Sequence, residues 1–161
     1  MRARAPHVLD AVPDPAPMLE RFERDLRELV LRSREKAKRV IVVRQPWFEK
    51  ELSPEEERHM WNFGQGRPYR EEVRTYYSHR VVWELMRQVD QRTARIVAEL
   101  GAEEVELMSV LERSLEIYYD ELHHTPRGCR EVGRAVAEVI LRRERGGARS
   151  SSPARLMPTR E

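Results

Sequence analysis

Four consecutive β-branched residues, Val40-Ile41-Val42-Val43, constrain the fold of this chain more than any other stretch. Side chains branched at Cβ favour extended backbone. An unbroken apolar run of this kind suits a strand covered on both faces, as in a parallel sheet. Pro46 ends the run, because proline has no N–H with which to continue a ladder. A parallel strand needs a partner reached by a long crossover, usually a helix.

The flanking sequence supplies that crossover. Residues 18–38 repeat apolar groups at helical spacing (Leu19, Phe22, Leu26, Leu29, Val30), with charged residues on the outer face. Residues 46–68 read as a long loop. Within it, Ser53-Pro54 followed by Glu55, Glu56 and Glu57 forms the start signal of a short helix. Residues 69–100 carry the longest helical stripe: Val82, Leu85, Met86, Val89, Thr93, Ile96, Val97 and Leu100. Gly101 follows as its C-terminal cap. Val105–Met108 is a second short strand, and residues 109–124 are a loop or a short helix plus loop. Thr125-Pro126 opens a last helix whose apolar face is Cys129, Val132, Val136, Val139 and Ile140.

The expected fold class is therefore α/β and helix-rich, with a short parallel sheet and a right-handed strand–helix–strand crossover. Two apolar strands are few for a sheet covered on both faces. The pattern is that of part of a larger three-layer α/β/α sheet. The expected organisation is a disordered Pro-rich arm over 1–17, one folded segment over 18–145 and a flexible basic tail over 146–161.

Composition excludes several functions. Lys and Arg number 30 against 28 Asp and Glu, a net charge of +2, and the two signs alternate, as in RFERDLRELV. Such mixing marks solvated helix faces and argues against a nucleic-acid stripe. The single cysteine, Cys129, rules out an internal disulfide and a Cys-rich zinc site, and its place on an apolar stripe suits a small core residue. No apolar run is long enough to span a membrane, and no signal core follows the basic start, so a cytoplasmic protein is expected.

Ligands of open α/β sheets bind beyond the carboxyl ends of the strands. Two loops of this chain fall there, one after Val43 and one after Met108. The second contains Tyr118-Tyr119-Asp120-Glu121-Leu122-His123-His124-Thr125-Pro126-Arg127-Gly128. An Asp three residues before a His in a tight loop can bond one imidazole nitrogen, leaving the other to take a proton from a hydroxyl. The plainer alternative is a loop carboxylate that caps or pairs locally. His124 sits beside the pair, but adjacent imidazoles alone do not make a metal site, and none is expected. Ser78 and His79 are sequence neighbours, which does not bring them into hydrogen-bonding register on a helix.

The block YYDELHHTPRG, followed by an apolar helix, resembles the last conserved block of the SGNH/GDSL hydrolases, Asp-x-x-His followed by Thr or Pro and Gly. The order around it is also similar: helix, strand ending in a Gln-Pro turn (VIVVRQPW), long Gly-capped helix, short VELM strand, then the block. The resemblance covers roughly residues 18–143 by element order. It implies a flavodoxin-like fold and acyl transfer on an ester by a serine nucleophile. His123 would be the general base and Asp120 the acid that orients it, with no cofactor.

The chain departs from the family at its front. The Gly-Asp-Ser motif of the nucleophile is missing, as are the family's oxyanion-binding Gly and Gly-x-Asn-Asp. None of Ser33, Ser53, Ser78, Ser109, Ser114 and Ser150–Ser152 follows Gly-Asp. The sequence thus resembles the carboxyl half of such a hydrolase, truncated and inactive by itself, acting on a small ester only if complemented. The alternative is a non-catalytic half-domain that pairs with another chain or with itself. Trp47, Phe48, Trp61, Phe63 and Tyr77 are candidates to line a substrate pocket; the alternative is that they cover the end of the sheet.

Overall fold

The computed structural model describes residues 5–12, 14–67, 70 and 72–148. Among the described residues it is a mixed α/β structure with two small sheets. In chain order the elements are β1 (His7–Leu9), α1 (Ala16–Lys36), β2 (Ile41–Val43), α2 (Pro54–His59) and β3 (Gly64–Gln65). They continue with β4 (Thr75–Tyr77), α3 (His79–Leu100), β5 (Glu103–Val105) and α4 (Pro126–Ala148).

The β-branched run becomes β2, and it pairs with β5 in parallel, Ile41 opposite Glu103 and Val43 opposite Val105. The expected strand–helix–strand unit is thus present, with α3 as its helix. The second strand is displaced toward its N-terminus, to Glu103–Val105 instead of Val105–Met108. The cause is local: the Glu106 carboxylate accepts from the backbone N–H groups of Met108 and Ser109, which turns the chain there. β2 is not covered on both faces as expected. Ile41 and Val42 are half-buried, and Val43 is 44% exposed. The first helix lies along α3 instead, joined by ion pairs from Glu23 to Arg92 (2.7 Å) and Arg95 (2.6 Å).

Helix boundaries follow their caps. Ser53 and Glu56 form a reciprocal capping box at α2, and Gly101 takes the left-handed conformation (φ 62°) that ends α3. The long helix begins ten residues later than the stripe suggests. Ser78 caps it by accepting from Val81 N–H, and the residues just before, Thr75-Tyr76-Tyr77, form β4. A β-branched residue and two aromatics favour extended backbone, and Tyr76 is buried there.

Residues 7–9 belong to no disordered arm: β1 pairs in parallel with β4, and β3 adds antiparallel on its other side. At the other end α4 runs on to Ala148, past the expected boundary at 145, and residues 149–161 lie outside the described residues. The main core gathers Phe48, Met60, Val105, Leu107, Leu111, Ile117 and Tyr118, with Val132, Ala135, Val136 and Val139 of α4 packed against it. Cys129 is exposed rather than part of that core. Among the described residues no helix is long and apolar enough to cross a membrane.

Candidate active site

The segment between β5 and α4 forms a closed loop fastened to the core at its base. Leu107, Leu111, Ile117 and Tyr118 bury their side chains. Tyr118 and His124 then form an antiparallel bridge, with Tyr119 N–H donating to the His123 carbonyl (3.1 Å) and Thr125 N–H to the Ile117 carbonyl (2.9 Å). Thr125 caps α4 by accepting from Gly128 N–H (3.1 Å). Glycine is required at 128, because a Cβ there would lie 2.2 Å from the Ile117 carbonyl oxygen.

Asp120 sits inside this loop with no exposed surface. Its Oδ1 accepts from Leu122 N–H (2.9 Å) and His123 N–H (2.8 Å). His123 Nδ1 lies 2.8 Å from Oδ2 and 3.0 Å from Oδ1. Burial by itself would push the Asp120 carboxyl up. The donors Leu122 N–H, His123 N–H, the His123 ring and the Asn62 side chain outweigh it and hold the group below its ordinary value. The carboxylate is therefore ionised at neutral pH and can only accept. His123 Nδ1 must carry the proton that binds it, which leaves Nε2 of the neutral ring with a free lone pair. The His123 side chain is 55% exposed, and its ring stacks on Tyr119 with centroids 5.4 Å apart and planes 12° from parallel.

The pair opens onto a cleft of about 420 Å³ beyond the carboxyl ends of β2 and β5. Its walls include Val43, Pro46, Leu107, Leu122 and Val132, with His123 and His124 at the same opening. His124 differs from its neighbour in environment. Burial, then repulsion from His123, push its imidazole below the ordinary value, against attraction from Asp120. Beside it Tyr118 is fully buried, and burial pushes its phenol up to about 12.

The two predicted dyad residues are thus brought together, and the five pocket candidates are not. Phe48 is in the core, edge-on to Tyr118 at 5.5 Å. Trp47 is buried, with its indole N–H donating to Glu49 (2.7 Å). Trp61 is 41% exposed, Phe63 holds a positive φ of 64°, and the Tyr77 hydroxyl accepts from Gln65 (2.7 Å) in the other sheet. None of the five lines the cleft. The sequence reading missed Glu121, which is 2% exposed and accepts from both the backbone N–H (3.2 Å) and the side-chain amide (2.8 Å) of Asn62. Its only signal was a second carboxylate inside the Asp-x-x-His spacing.

Among the described residues no serine hydroxyl is hydrogen-bonded to His123 or His124. Ser53 and Ser78 cap helices, Ser33 bonds the Leu29 carbonyl and Ser109 bonds Glu106. Among the same residues, no three His, Cys, Asp or Glu side chains group so as to hold a metal ion. A scan of the chain against protein-family models found no match, and searches of curated proteins and of solved structures found none either.

Proposed function

We propose that this chain carries the acid–base side of a serine ester-hydrolase site of the SGNH type. The observation that carries this reading is the Asp120–His123 contact: a fully buried carboxylate bonded to Nδ1 of an exposed imidazole, at the carboxyl ends of two parallel strands. In acyl transfer His123 Nε2 would take the proton of a serine hydroxyl as it attacks the ester carbonyl, and return it to the leaving alcohol. Asp120 would hold the ring in the Nδ1–H tautomer and stabilise the imidazolium. The nucleophile and oxyanion donors would come from sequence other than these 161 residues, with β2 and β5 as part of a flavodoxin-like three-layer α/β/α sheet. The cleft walls suit a small apolar ester substrate.

Nitrogen-15 spectra of the histidines test the dyad. His123 is expected as the Nδ1–H tautomer, and Asp120→Asn should shift that balance. An Nε2–H tautomer in the unsubstituted chain overturns the reading. With no serine on the dyad among the described residues, the chain alone should not turn over p-nitrophenyl acetate. Turnover abolished by His123→Ala would show that these residues include a nucleophile.

A second reading, a half-domain that pairs with another chain or with itself, is favoured by one observation. Among the described residues β2 and β5 pair only with each other, and Val43, Ile140 and Leu141 are exposed. Open strand edges and exposed apolar groups invite further pairing. Light scattering after size exclusion decides: a cooperative monomer at micromolar concentration sinks this reading.

A further inference from the structure

We propose that Tyr119 is a positioning residue for His123, setting the plane of the imidazole that Asp120 orients, a role that rests on the acid–base reading of that pair. The loop between β5 and α4 closes as a short antiparallel ladder. Tyr118 and His124 are bridged, with Thr125 N–H donating to the Ile117 carbonyl (2.9 Å) and Tyr119 N–H to the His123 carbonyl (3.1 Å). That pattern makes Tyr118 and His124 a pair with no hydrogen bond between their backbones, where opposite side chains approach most closely. Tyr119 and His123 form the next pair. Successive pairs in such a ladder point to opposite faces. The rings of the first pair turn inward, with centroids 4.9 Å apart and Tyr118 fully buried. The rings of the second pair turn outward and stack, with centroids 5.4 Å apart and planes 12° from parallel.

The outward pair is where the imidazole needs support. One ring atom, Nδ1, ties it to Asp120, 2.8 Å from Oδ2 and 3.0 Å from Oδ1. A ring held at one atom still pivots about that contact and swings Nε2. The His123 side chain is more than half exposed, so the core does not hold the ring. The flat contact with Tyr119 opposes the pivot. Offset stacking at this separation is a favourable arrangement of two aromatic rings. Tyr119 is itself well placed to serve, since its backbone is bonded across the ladder and the residues on either side of it, Tyr118 and Asp120, are fully buried. The His123 N–H does not continue the ladder but donates to Asp120 Oδ1 (2.8 Å). Three contacts therefore meet at His123. Its backbone N–H and Nδ1 are held by Asp120, and its ring face is held by Tyr119.

The consequence is one of direction. A general base must point its lone pair at the hydroxyl proton it takes, and small misalignments are costly. Asp120 selects the tautomer, and Tyr119 selects the line along which Nε2 faces outward. The support comes from the face of the tyrosine ring. Phenylalanine therefore serves equally well at position 119, whereas leucine, which has no flat face, does not. A side chain that only filled space would show no such distinction.

Proton NMR of the whole 161-residue chain tests the role. In the unsubstituted protein, nuclear Overhauser contacts should join the Tyr119 and His123 rings. The His123 ring protons should be displaced upfield by the tyrosine ring, and the His123 side-chain couplings should report one rotamer. Tyr119→Phe should keep all three signatures. Tyr119→Leu should lose the upfield displacement and average the His123 rotamers, while the Leu122 and His123 amides, bonded to Asp120, stay protected from exchange. Absence of ring-to-ring contacts in the parent overturns the proposal, as does a His123 ring in Tyr119→Leu as restrained as in the parent. Averaged rotamers in Tyr119→Phe overturn it too, because they would assign the support to the hydroxyl. Should Tyr119→Leu not fold, the parent and Tyr119→Phe measurements decide. An Nε2–H tautomer at His123 would instead sink the acid–base reading while leaving the stack, which does not depend on the tautomer, standing.

Discussion

At the residue scale, the charge on Asp120 depends on donors that exist only in the folded chain. Because its folded value lies below the ordinary one, this carboxyl stabilises the fold above the ordinary carboxylate range. That contribution is lost as pH falls through the folded value. Asp120→Asn cannot titrate, so its urea midpoint should fall less between pH 7 and pH 3 than that of the parent chain. Equal losses would show that Asp120 adds nothing to acid stability. His124 acts in the same direction at higher pH, since burial first and His123 second push it down and the unfolded chain binds its proton sooner. The identity of the Asp–His pair was legible because three residues of spacing in a tight loop set it. Asn62 was not, because its hydrogen bonds to Glu121 cross almost sixty residues.

At the element scale, two of the glycines in α4, Gly128 and Gly133, have opposite consequences. Gly128 faces the Ile117 carbonyl so closely that a methyl group must displace the loop holding the dyad. Gly128→Ala should destabilise by roughly 1–3 kcal/mol, as overpacking does. Nothing lies within 4 Å of a Cβ at Gly133, so Gly133→Ala should stabilise by about 0.5–1 kcal/mol through helix propensity. Thermal melts of the two variants give the signs directly, and like signs would contradict the packing at Ile117. Helix ends were legible where a cap is local: Ser53 with Glu56, Gly101, and Thr125 ahead of Pro126. The start of α3 was not, because Tyr76 and Tyr77 also fit a helical stripe. Pairing of β4 with β1, more than sixty residues away, holds them extended instead.

At the scale of the whole molecule, one ion pair ties the end of β2 to the long helix. Arg44 donates to Asp90 at 2.7 and 2.5 Å, each side chain only 15% exposed, and the hydrogen bonds to Asp90 raise the guanidinium above its ordinary value. Arg44 also borders the cleft. Asp90→Ala leaves that cation half-buried and should lower stability by about 1–3 kcal/mol in urea melts. A change within a few tenths would mean that solvent screens the pair. The sequence by itself determined the parallel β2–β5 pair, the helix that joins them and the loop that brings Asp120 to His123. Each of these rests on periodicity or on contacts a few residues long. Only the tertiary structure decided that Val43 stays exposed, that β1, β4 and β3 form a second sheet, and that aromatics in the long loop pack away from the cleft. Those outcomes depend on which distant surfaces meet, and no local pattern of residues encodes that choice.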